Sequence, residues 1–406
     1  MTMTIYPKTE NMRLTAIYSS TLGIFPWKFL FQDRKFYQKL YRYYSIFILT
    51  WYIGFVVTAY IELFVLLSGE TIKMEEVCTN MCLTLVFTCA GLRACVMRYG
   101  NRLDDTIQSI IDTERNTNLL DDENVREYEN KYISVMRTFT HCYAASVIIP
   151  DAQRSVFVAI TSPQITEVGN VTVSYKPHIM SSWFPFDKQE HYWPAYWFQV
   201  FDGSMGASFV AFVDIFMFNL ISYPVGQLTK LQHLIRNLKT YQDKAWQAGV
   251  QQADLSVLND LVRRHQKIIS YVDVYNNYMG TFAIFEFIQS SVQIASVLAQ
   301  TSPDNLTLEE ASFIVCFFIS MTIRMFLYYF SANQVIVESR KVAISVWESN
   351  WYEQRPEIQK SLLLMMIRAQ KPLCYRIGGF GIMSVESIIA IMKGTYTYIT
   401  IIYRGY

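Results

Sequence analysis

The chain has 406 residues, 52% of them apolar and only 17% charged, with a formal net charge of +1. Soluble chains of this length carry about a quarter charged residues, and a charge this balanced gives nucleic acid no electrostatic footing. Composition therefore points to a membrane protein and away from a nucleic-acid partner.

The first 44 residues are basic and lack a short apolar core followed by a small-residue cleavage site. No secretory signal peptide is read, and the first span is expected to insert the chain. Seven candidate spans follow, near 45–68, 76–98, 132–160, 195–224, 269–298, 311–337 and 380–403. Each reaches the roughly 20 residues a helix needs to cross a bilayer. Asp151 and Arg154 interrupt the third span, and Asp202 and Asp214 the fourth. After Pro224, Leu228, Leu231, Ile235 and Leu238 recur at helical spacing, which predicts that the fourth helix continues into the cytoplasm. After Pro356, an apolar face of Ile358, Leu362, Met365 and Met366 precedes Arg368 and Lys371. A short amphipathic helix is predicted there, lying on the membrane, packing within the chain or meeting a partner subunit. Gly378, Gly379 and Gly381 then permit a sharp turn back into the bilayer.

With the N-terminus inside, 24 of the 35 Lys and Arg fall in the inner segments 1–44, 99–131, 227–268 and 338–375. The outer side holds four: Lys73, Lys176, Lys188 and Arg404. This asymmetry sets the orientation. Two N-glycosylation sequons, at Asn170 and Asn305, agree with it by falling outside. Trp183, Trp193 and Trp197 cluster where an outer aromatic belt is expected. The expected fold is an all-α membrane protein of seven transmembrane helices, N-terminus cytoplasmic and C-terminus extracellular. That orientation is opposite to a G-protein-coupled receptor, whose Asp-Arg-Tyr and Asn-Pro-x-x-Tyr motifs are also absent.

Six of the seven cysteines fall in candidate spans, and neither a Cys-x-x-Cys pair nor a His-x-x-x-His spacing occurs. No disulfide framework, metal site or cofactor is expected. The five histidines are scattered, so no enzyme site is read. The internal repeat of a transporter is missing. In the last span, Glu386, Lys393, Thr397 and Arg404 fall within roughly 20° of one line on a helix. A polar stripe on a membrane helix faces other helices or water.

The stretch Met366-Ile367-Arg368-Ala369-Gln370-Lys371-Pro372-Leu373, then Gly378-Gly379-Phe380, resembles the C-terminal region of insect odorant receptors. Thr395-Tyr396-Thr397-Tyr398 and the positions of Ser339, Trp347 and Trp351 resemble the same family. The likeness is specific over about the last 80 residues. It implies an odorant-gated cation channel subunit in the plasma membrane of an olfactory neuron dendrite. Such subunits form tetramers in which the last helix of each lines one central pore. The implied partners are a small volatile odorant, shared co-receptor subunits, membrane lipid and cations in transit. The co-receptor itself has a longer second cytoplasmic loop and a different ending, so an odorant-tuned subunit is implied. The alternative is a gustatory-type channel subunit working as a homotetramer. That group carries a Gln-Phe pair where Ile402, Tyr403 and Arg404 stand here.

The resemblance divides the chain into a ligand-binding bundle (1–337), a cytoplasmic anchor (338–375) and a pore-lining helix (376–406). By motif, Ile401 falls at the family's hydrophobic constriction, with Thr397 and Arg404 beside the pore; the alternative for Ile401 is lipid-facing packing. The implied pocket lies in the outer half between the second, third, fourth and sixth spans. Its candidate lining is Leu83, Phe87, Tyr143, Val147, Ile148, Met205, Phe209, Phe317 and Met321, with Gln153 or Tyr143 as a hydrogen-bond partner.

Overall fold

A computed structural model describes residues 6, 9–69, 74–115, 120–168, 171–299, 308–379 and 381–404. The sequon residues Asn170 and Asn305 lie outside the described residues. Eleven α-helices are described: α1 (Glu10–Thr21), α2 (Lys35–Ser68), α3 (Met74–Tyr99), α4 (Asn101–Arg115), α5 (Glu123–Ile160), α6 (Tyr192–Arg236), α7 (Leu238–Gln247), α8 (Ala253–Ala299), α9 (Leu308–Glu348), α10 (Pro356–Ala369) and α11 (Val385–Arg404). Helices α2, α3, α5, α6, α8, α9 and α11 correspond to the seven predicted spans. Two short antiparallel hairpins join them: β1 (Gln164–Val168) with β2 (Val171–Tyr175), and β3 (Arg376–Ile377) with β4 (Gly381–Ile382).

Four helices carry apolar stretches long enough to cross a bilayer by composition alone, in Lys35–Ser68, Asn80–Tyr99, Tyr192–Arg236 and Ala311–Glu348. Helix α8 adds a shorter apolar run, Phe282–Ile294. Helix α6 lies at the centre and packs against α1, α3, α5, α8 and α9. Helix α2 lies at the outside and presents Phe36, Phe47 and Phe64 outward, a face suited to lipid.

Helices α6, α8 and α9 run for 45, 47 and 41 residues. At 1.5 Å per residue that is about 60–70 Å, twice a hydrocarbon core, so their far halves leave the bilayer. There they join α7, α10 and the start of α5 in a second bundle knit by ion pairs. Lys230 meets Glu129 at 2.6 Å, and Arg264 meets Asp121 at 3.0 Å. Asp122 caps α5 by accepting from the Val125 N–H at 3.1 Å and pairs with Lys244 at 2.6 Å. Burial opposes its charge, yet the Lys244 ammonium and the Val125 N–H hold its carboxyl below the usual value. The predicted continuation of the fourth span is present, since α6 passes through Pro224 unbroken to Arg236.

Helix α10 begins with Pro356 at its first turn, where a missing N–H costs nothing. Its face of Ile358, Leu362, Met365 and Ala369 is buried against α8 and α9. Of the three fates open from sequence, the face takes packing within the chain. A second apolar group is left outside: Leu363, Leu364 and Ile367 are 52%, 67% and 52% exposed.

The last helix begins at Val385 rather than near 380, because Arg376–Ile377 and Gly381–Ile382 pair as the second hairpin. The Leu373 N–H donates to Ser339 Oγ at 2.9 Å, which joins two positions of the C-terminal motif. Asn276 brackets the turn, donating to the Cys374 carbonyl and accepting from the Arg376 N–H, both at 2.9 Å. Gly378 has φ +51°, and a Cβ there would collide with Ile284. Only glycine satisfies both conditions at no steric cost.

Candidate functional site

Between α3, α5, α6, α8 and α9, at the end nearest residues 161–191, lies a cavity of about 840 Å³ with its open mouth included. Leu83, Val86 and Phe87 come from α3, and Tyr143, Ser146, Val147, Pro150, Asp151 and Arg154 from α5. Gly203, Ala207 and Val210 come from α6, Gln293 from α8, and Phe313, Phe317, Ser320, Met321 and Arg324 from α9. Ile179 and Met180 of the connecting segment complete the wall. The surface is mostly hydrocarbon and aromatic, as expected where an apolar small molecule binds.

Of the residues expected from sequence, the structure brings Leu83, Phe87, Tyr143, Val147, Phe317 and Met321 to this cavity. Three lie elsewhere. Ile148 is 42% exposed on the outer face of α5. Met205 is buried in the core, and Phe209 stacks on Tyr52 with ring centroids 4.1 Å apart. Gln153 donates to Ser312 Oγ at 2.6 Å. Asp151 accepts from Ser204 Oγ at 2.8 Å, while the Arg154 guanidinium lies over the Phe313 ring at 5.6 Å.

Residues 176–191 fold over the cavity as a tethered roof. Gln199 accepts from the Ile179 N–H at 3.1 Å and donates to the Met180 carbonyl and Ser182 Oγ, both at 3.0 Å. Glu62 of α2 accepts from Ser181 Oγ at 3.0 Å and from Lys188 at 2.9 Å. Met180 reaches in so closely that a Cβ at Gly203 would stand 2.8 Å from its terminal methyl. Burial, with Lys188 next to it, lowers the His178 imidazole below its usual value, so this roof residue is neutral at pH 7.

Beneath the cavity is a cluster of four buried ionisable groups from four helices. Arg93 of α3 meets Asp214 of α6 at 2.7 Å and Glu286 of α8 at 3.0 Å. Arg324 of α9 meets Asp214 at 2.8 Å and also pairs with Glu286. Tyr143 and Tyr328 donate their hydroxyls to Asp214 at 2.6 and 3.0 Å. None of the four charged side chains is more than 9% exposed. Charges so far from water persist only when paired and hydrogen-bonded. Tyr143 and Arg324 belong to both the cavity wall and this cluster, so anything seated in the cavity rests on it. Sequence reasoning marked Asp214 but missed Arg93, Glu286, Arg324 and Gln293. The available signal was an ionisable or amide side chain inside an apolar span.

On α11, Glu386, Lys393 and Thr397 are exposed while Ile391 is buried and Ile388 packs on the core. The polar stripe thus faces away from the chain's own bundle. Arg404 and Ile401 lie in the helical backbone, and their side chains are outside the described residues.

A family model described as 7tm Odorant receptor matches residues 73–396. The chain is 30% identical to Odorant receptor 10 of Aedes albopictus over 188 residues, 46% of this chain and 49% of that protein. It is 25% identical to Odorant receptor Or2 of Anopheles gambiae over 177 residues, 44% of this chain and 46% of that one. The chain thus spans about half the length of the curated relatives it matches. Its fold is similar to that of the insect olfactory receptor OR5 from Machilis hrabei in complex with eugenol. The TM-score is 0.75 at 15% identity, covering 97% of this chain and 98% of that one. A second structure of that receptor gives a TM-score of 0.73, also at 15% identity, covering 96% and 97%.

Proposed function

The chain belongs to the 7tm Odorant receptor family and is a multi-pass membrane protein, and from that premise we propose that it is an odorant-tuned subunit of a ligand-gated cation channel. A small volatile binds in the cavity among α3, α5, α6, α8 and α9. Residues 1–337 form the receptive bundle, 338–375 the assembly base and 376–406 the pore element. The subunit works in a tetramer with shared co-receptor subunits, its N-terminus in the cytoplasm and its C-terminus outside.

The observation that carries this is the cavity itself: apolar, roofed, and resting on a charged cluster that ties α3, α6, α8 and α9 together. A volatile hiding about 300 Å² there gains roughly 7 kcal/mol by apolar burial, before association costs. The result is modest affinity with tolerance of related shapes. Helix α8 packs against α11, which offers a direct route from cavity to pore element. The outward polar stripe of α11 supports a water-facing role in an assembly.

The test is expression in oocytes with and without the co-receptor, recording current under a panel of volatiles. Odour-evoked cation current is expected only from the pair. Robust odour-gated current from this chain alone would refute obligate hetero-assembly.

A further inference from the structure

The two ends of the cavity differ in how far they can yield. Its deep end includes Tyr143 and Arg324, which donate to Asp214 at 2.6 and 2.8 Å. Pushing either aside disturbs a buried charge, which is costly. Its roof end is Met180, which lines the space together with Gly203. The backbone that carries Met180 is held on both sides. Gln199 accepts from the Ile179 N–H and donates to the Met180 carbonyl, and Asn80 donates to the Ser181 carbonyl at 3.0 Å. The Met180 methyl fills the slot that Gly203 leaves open, 2.8 Å from where a Cβ would stand. The stem of Met180 is thus fixed, while its unbranched tip can re-pack. Along α6 the lining runs from Gly203 to Val210, a rise of about 10 Å.

Resting on the assignment of this cavity as the odorant site, we propose that Met180 is its length stop, the residue that sets the longest hydrocarbon chain accepted. The ligand lies along the helices between the Tyr143 and Arg324 end and the Met180 methyl, its sides against Leu83, Phe87, Val147 and Phe317. Within a series of alkyl volatiles, the methylene that first meets the Met180 tip marks the fall in response. The deep end cannot give way without disturbing the Asp214 pairs, so the added length is resolved at the roof. There the tip swings aside for a small excess, and the clamped backbone refuses a larger one.

The test uses the chain with its co-receptor and straight-chain alcohols, acetates and alkylphenols, each series lengthened by one methylene at a time. Wild-type sensitivity should rise with chain length and then drop, by about tenfold for the first methylene too many. Met180→Ala removes Cγ, Sδ and Cε, so the drop should move to chains longer by about three methylenes. Shorter members should still evoke current, which also shows that the variant folds and gates. Met180→Leu, close to methionine in volume, should leave the drop in place. Gly203→Ala takes the slot of the methyl and should shift the drop to shorter chains in wild type but not in Met180→Ala, as coupled neighbours do. Should Met180→Ala fail to reach the surface, Met180→Val serves the same comparison. A drop at the wild-type length in the shortened variant overturns the inference. So does a surface-expressed variant silent to every member, or Gly203→Ala acting alike in both backgrounds. A wild type with no drop, or with no response to any of these series, overturns it too. Ala207→Phe, which fills the cavity from α6, separates the two levels. If its responses equal wild type, the cavity is not the odorant site. If it is silent at normal surface level while Met180→Ala keeps the wild-type drop, only the role of Met180 falls.

Discussion

Asp214 accepts from Arg93, Arg324, Tyr143 and Tyr328, side chains carried by three different helices. Asp214→Asn keeps its shape but leaves two guanidinium groups sharing Glu286. Breaking a buried pair in this way costs about 3–5 kcal/mol. The expected outcome is a large fall in surface-labelled protein and a lower melting temperature in detergent. Adding Arg93→Gln, which restores the balance of charge, should recover part of both. If Asp214→Asn melts and traffics as wild type does, the cluster is not structural. Asp214 was visible in the sequence as an acid inside an apolar span. Its partners were not, because no spacing rule links positions 93, 214, 286 and 324, and only folding makes them neighbours.

The same boundary appears at the level of the element. Helix α6 was legible as a span and as an extension past Pro224, yet which of its faces meets the cavity was not. It is buried on nearly all sides, so its apolar residues carry no periodicity to set a phase. Gly203, Ala207 and Val210 share the cavity face, while Met205 and Phe209 point into other packing. Helix α10 misled differently, because it bears two apolar groups and the helical spacing after Pro356 picks out the one that is internal. Leu362 is 1% exposed, so a charge there should unfold the base rather than block a partner. The exposed Leu364 and Ile367 are the positions to change. Leu364→Asp with Ile367→Asp should leave the chain folded and abolish its co-purification with the co-receptor, whereas unaltered co-purification would exclude this face from assembly.

For the whole molecule, charge asymmetry and span count sufficed for the architecture, because both are written residue by residue along the chain. The pore of the proposed assembly lies beyond a single chain, and only the family motif points to its residues. With Ile401 at its constriction, Ile401→Ser should ease hydration of the closed pore. In a mixed tetramer the effect is partial: raised basal current or altered ion permeability at normal surface level. Ile399→Ser, rotated by about 200° on the helix, is the control. If both variants match wild type, Ile401 does not line the pore. What drives opening is constrained by the cluster under the cavity. Its two arginines, aspartate and glutamate carry formal charges that sum to zero, so it contributes no net gating charge. Moving one elementary charge across the membrane is worth about 2.3 kcal/mol per 100 mV, but a neutral cluster displaced as one body does no such work. On the proposed function, a ligand in the cavity is therefore expected to shift this part of the subunit equally well at either membrane potential.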